Sequence, residues 1–108
     1  MSLPHLHGFP VPSLSEGDRS ALEAAARRAR VSALTMVTAA SSGHPGGAFS
    51  GIEMFLTVYG TANLTPENCG SSDRDYVVVS HGHTSAGVYA ALAAWGFFDA
   101  VEAVSHFR

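Results

Sequence analysis

The chain has 108 residues, 46% of them hydrophobic and 14% charged, which is enough for one small globular domain or for part of a larger one. A formal net charge of -3 gives no broad basic footprint, so nucleic acid and anionic membrane surfaces are excluded as partners. The single cysteine, Cys69, cannot close an internal disulfide, no leader pattern opens the chain, and no apolar run reaches the ~20 residues of a membrane helix, so a cytoplasmic home is expected.

Residues 1–14 hold Pro4, Pro10 and Pro12 with no helical or alternating period, and read as an irregular arm. His5 and His7 lie in it without a cysteine or acidic neighbour, so a tail is the better reading than a metal site. From residue 15 the spacing turns helical. Leu22, Ala25, Ala29, Ala33, Met36 and Ala40 recur at intervals of three and four, with Arg19, Glu23, Arg27 and Arg30 on another face. Ser13 or Ser15 can cap this helix, with Glu16 or Asp18 three positions on. The cluster of Arg27, Arg28 and Arg30 reads as a solvated face, and the alanine-rich stripe predicts close packing against a neighbour.

Residues 41–47 read SSGHPGG and interrupt the helix at Gly43. Pro45 biases His44 toward an extended backbone, and the flanking glycines allow a tight turn, which puts the imidazole at a loop apex. A short helix follows over about 50–59, with Ile52, Phe55, Leu56 and Tyr59 facing the core. Glu53 reads either as a surface carboxylate or as a loop anchor. Residues 60–74 collect Asn, Pro, Gly, Ser and Asp around Cys69 and predict a connecting loop.

Residues 75–80 read DYVVVS, and three consecutive valines predict a strand buried on both faces, as in a parallel sheet covered by helices. His81, Gly82, His83, Thr84 and Ser85 follow at once and open a helix to about Trp95, with Val88, Leu92 and Trp95 on one side. Thr84 or Ser85 can cap it, Gly96 can close it, and Asp99 can cap a last helix. The expected class is therefore α/β: an incomplete parallel sheet with one clear strand and about four helices.

A strand that turns at glycine into a helix N-terminus is where α/β proteins place phosphates, because free N–H groups and the helix dipole point at the ligand. No GxxxxGK[ST] or GxGxxG occurs, which demotes nucleoside triphosphates and dinucleotides. The alternation of His81 and His83 invites a metal reading, but Thr84, Ser85 and Ala86 follow where further ligands are needed. Two glycine-flanked histidine loops instead suit a polar site in which imidazoles move protons near neutral pH.

These residues together resemble the amino-terminal, diphosphate-binding part of transketolases. The long helix ending in SGHPGG, the helix with Glu53 and Tyr59, the DRDYVVVS segment, the GHTS turn and the YAALAAWGFF helix occur in that family's order over roughly residues 19–108. GHPGGAFSGIE is most similar to split transketolases, whose amino-terminal half is a separate polypeptide. The resemblance implies thiamine diphosphate, with a divalent Mg2+ or Ca2+ ion, and transfer of a two-carbon ketol unit between sugar phosphates. It implies that His44 and His83 are catalytic, that His83, Gly82 and Thr84 bind cofactor, and that His44, Ser42 and His81 face the substrate. His81 departs from the family's usual Asn. The GDG segment with its downstream Asn, which holds the metal, and the pyrimidine-binding half are absent, so a complementary transketolase chain or further sequence is expected to complete the site. A 1-deoxyxylulose-5-phosphate synthase, a 2-oxo-acid dehydrogenase component and a non-catalytic piece are the alternatives.

Overall fold

The computed structural model describes Leu3, Pro4 and residues 6–108; His5 lies outside the described residues. Among the described residues four helices follow one another: α1 (Glu16–Ala40), α2 (Pro45–Thr61), α3 (Ser85–Ala94) and α4 (Ala100–His106). The first three pack on one another in pairs, and α4 closes against α1 and α3.

Local signals explain where the helices begin. Ser15 caps α1 by accepting from the Asp18 N–H at 3.1 Å, which satisfies one of the donors that no helix can pair internally. Asp99 does the same for α4 by accepting from the Val101 N–H at 3.0 Å. Helix α2 starts earlier than the apolar spacing predicts. Pro45 takes its first position, where a missing N–H costs nothing, so the PGG of the turn is wound into the helix.

The core is built from small residues on one side and large ones on the other. Helix α1 contributes Ala25, Ala29, Ala33 and Met36, α2 contributes Ile52, Phe55, Leu56 and Tyr59, and α3 contributes Ala86, Ala90 and Ala91. Val88, Leu92 and Trp95, the expected face of α3, are only half-buried; the seam of small residues is what turns inward. Trp95 lies over Gly60, and its indole N–H donates to the Leu56 carbonyl at 2.9 Å, tying α3 to α2. The arm also packs: Leu6 is buried, and His7 Nδ1 lies 2.6 Å from the Ala62 carbonyl oxygen.

The expected α/β class with an incomplete parallel sheet is overturned. Among the described residues there are helices and no strand. A strand exists only through its ladder, and among the described residues no backbone segment pairs with residues 76–80. The segment runs beside the helices without regular secondary structure. Val77 and Val79 pack against the core while Val78 is 86% exposed, so burial on both faces is overturned as well. Among the described residues no helix is long and apolar enough to cross a membrane.

Of its two expected roles Glu53 takes that of the surface carboxylate, and it is paired there. Its carboxylate accepts from Arg30 Nη2 at 2.6 and 2.8 Å, and the same nitrogen donates to the Phe49 carbonyl, so Arg30 leaves the solvated face and bridges α1 to α2. The guanidinium holds the Glu53 carboxyl below the usual carboxylate range, against a smaller upward push from burial. A lowered folded value stabilises the fold above the unfolded carboxylate pKa of about 4.3, and that contribution disappears as pH falls through the folded value. Because the pair is substantially exposed, Glu53→Gln should cost less than about 1 kcal/mol at pH 7. Urea unfolding of wild type and variant should converge at about pH 3; a gap that persists there would assign the effect to packing instead.

Candidate functional site

The turn from α1 to α2 is set residue by residue. Ser41 ends α1 in the left-handed region, with its N–H on Thr38 and that of Ser42 on Val37. Gly43 follows at φ 133, and a Cβ there would lie 2.5 Å from a Val37 methyl, so only glycine fits. His44 (φ -126, ψ 81) stays out of the helical region, as the residue before proline is biased to, and its carbonyl accepts the first helical bond of α2 from Ala48 at 3.1 Å. The imidazole therefore stands at the helix N-terminus and not at the apex of a free loop.

The second turn is tighter. The Gly82 carbonyl accepts from the Ser85 N–H at 3.2 Å, which swings His83 and Thr84 to the start of α3. Thr84 occupies the cap position, but its hydroxyl does not cap the helix. It lies 2.9 Å from His81 Nδ1, so His81 secures Thr84.

Both helix starts are then drawn together by Gly87. A Cβ at Gly87 would fall 2.8 Å from the Ala48 carbonyl oxygen and 3.2 Å from its Cα, so α3 touches α2 backbone to backbone. Nearer the two helix starts, the Thr84 methyl reaches to within 3.6 Å of where a Gly47 Cβ would stand. The consequence is that the rings of His44 and His83 meet edge to face, with centroids 5.0 Å apart and planes at 67°.

This arrangement presents two exposed imidazoles beside two helix N-termini, each with unpaired N–H groups and the positive end of its dipole. Such a donor set suits an anionic, phosphate-bearing ligand and proton transfer next to it. Ser42 Oγ is held by Arg108 Nη1 at 2.8 Å. Gly82 is exposed and supplies the turn carbonyl. Among the described residues no group of three or more His, Cys, Asp or Glu side chains is placed to hold a metal ion.

Sequence reasoning missed Gly87 and Arg108. The run of small residues Ala86, Gly87, Ala90 and Ala91 carried the signal for close helix approach, whereas the Arg108 contact spans 66 positions and leaves no local trace.

Residues 21–108 match the family described as transketolase, thiamine diphosphate binding domain. Among curated proteins, a transketolase of Kluyveromyces lactis is 34% identical over 79 residues, covering 73% of this chain and 12% of its own length. A transketolase of Dictyostelium discoideum is 32% identical, covering 88% of this chain and 14% of its own length. A 6-deoxy-6-sulfo-D-fructose transketolase subunit of a Clostridium species is 40% identical over 57 residues, covering 52% of this chain and 21% of its own. This chain thus spans only a small part of the length of these relatives, and no solved structure matches it. With the match extending over nearly all of α1 and everything after it, the chain belongs to the transketolase family, as its amino-terminal thiamine diphosphate-binding domain.

Proposed function

We propose that this chain forms one wall of the active site of a cytoplasmic transketolase-type transferase that moves a two-carbon ketol unit from a ketose phosphate to an aldose phosphate. The observation that carries the reading is the His44 and His83 pair, 5.0 Å apart at the joined N-termini of α2 and α3.

Within that reading His83 contacts the cofactor diphosphate, with Gly82 shaping the backbone and Thr84 flanking it at the start of α3. His44 takes a proton from a hydroxyl of the donor sugar and returns it when the bond to the acceptor is made. Ser42 and His81 line the substrate approach. The donor set fits the group: imidazole and backbone N–H groups suit a diphosphate. Thiamine diphosphate, when bound, supplies the centre that accepts the carbanion character of the transferred unit. Its divalent Mg2+ or Ca2+ ion would be held by a GDG segment and Asn that this sequence does not contain. The reading therefore includes a complementary transketolase chain, or further sequence, that brings this segment and the pyrimidine-binding domain.

The test is reconstitution. The chain mixed with a complementary transketolase chain, thiamine diphosphate and Mg2+ should transfer two carbons from a ketose phosphate to an aldose phosphate. Calorimetry on the chain alone should show no tight cofactor binding. Products arising from pyruvate in place of ketol transfer would overturn the reading in favour of a synthase or dehydrogenase component.

A further inference from the structure

Ser42 stands two residues before His44, and its hydroxyl is oriented from outside the turn that carries it. A guanidinium has donors only, so in the 2.8 Å contact with Arg108 Nη1 the Ser42 oxygen is the acceptor. With a lone pair of Oγ committed to a cation, the Ser42 O–H must point elsewhere and is a stronger donor for being polarised. Arg108 is itself located by its neighbour. Phe107 is buried, meets Tyr89 of α3 edge to face at 6.2 Å, and approaches within 3.6 Å of where a Gly43 Cβ would stand. The Arg108 guanidinium lies 5.3 Å from the Phe107 ring. The end of α4 is thus a clip that joins α3 to the turn bearing His44.

We infer that Arg108 is a positioning residue of the transfer reaction, fixing the Ser42 hydroxyl as a hydrogen-bond donor to an oxygen of the donor sugar beside His44. The inference rests on the transketolase reading above. It separates Arg108 from a substrate-binding residue: the guanidinium acts through Ser42 and touches no substrate atom.

A double-mutant cycle tests it on two readouts. In the reconstituted enzyme, Arg108→Ala should raise KM for the ketose phosphate roughly tenfold and leave kcat within about threefold. In a Ser42→Ala background the same substitution should add less than about twofold, because the partner through which it acts is gone. The second readout is hydrogen exchange at the Ser41 and Ser42 amides, which bond to Thr38 and Val37. Each single substitution should speed exchange there, and the double should speed it no further. Additive effects of the two substitutions, or an unchanged KM and unchanged exchange in Arg108→Ala, would overturn the inference. If wild type transfers no ketol unit at all, the transketolase reading fails by itself, and the exchange measurements still decide whether Arg108 holds Ser42.

Discussion

Gly87→Val is expected to lower the unfolding free energy by about 1–3 kcal/mol or more, the range for forcing methyl groups into a closed contact. The Cβ alone would fall 2.8 Å from the Ala48 carbonyl oxygen, and the obstruction is backbone, which cannot rotate aside as a side chain can. Valine is a better helix former than glycine, but that gain is well under about 1 kcal/mol and does not offset the clash. Gly17→Ala provides the contrast: its Cβ would meet only Ser15 Oγ, at 3.9 Å, so this substitution in α1 should be neutral or stabilising by up to about 1 kcal/mol. Urea titration followed by circular dichroism reads both. A Gly87→Val midpoint equal to wild type would mean that α2 and α3 separate freely, and the geometric argument for the site would fail with it. The same variant should also slow ketol transfer in the reconstituted enzyme, because moving α3 away from Ala48 moves His83 away from His44.

The contrast between these glycines shows what kind of information a sequence carries. Gly17 sits in a helix whose start is announced within four residues by Ser15 and Asp18, and the α1 boundaries follow from such local chemistry. Gly87 matters only because Ala48 lies across from it; the small residues around Gly87 signal a close approach, but nothing within a helical turn of either residue names the partner. The valine segment errs for the same reason. Valine prefers a pleated, half-buried surface, and Val77 and Val79 turn inward while Val78 is exposed, but residues 75–80 form no strand. The ladder that would make a strand is non-local, and among the described residues no backbone segment supplies it. Arg30 repeats the pattern. Its position on a charged face was legible, whereas the Glu53 carboxylate 23 positions on was not. At the site, the histidines stood out because each is flanked by residues with special backbone freedom, a strictly local signal. Arg108 has no such flank.

The largest functional effects should come from the two imidazoles. In the reconstituted enzyme, His44→Ala and His83→Ala are each expected to reduce ketol transfer by about 10²–10⁴-fold, the usual contribution of a positioned acid or base. Both side chains are exposed, so neither substitution should change the unfolding free energy by more than about 0.5 kcal/mol, which separates chemistry from folding. The pair also divides its labour. His83→Ala should weaken thiamine diphosphate binding as well as turnover, whereas His44→Ala should lower turnover with cofactor affinity nearly intact. Because the rings touch at a 5.0 Å centroid separation, the double variant should lose less than the product of the single losses. Turnover that survives His44→Ala unchanged would remove this imidazole from proton transfer, and the chain would then be a scaffold that keeps the family's fold without its chemistry.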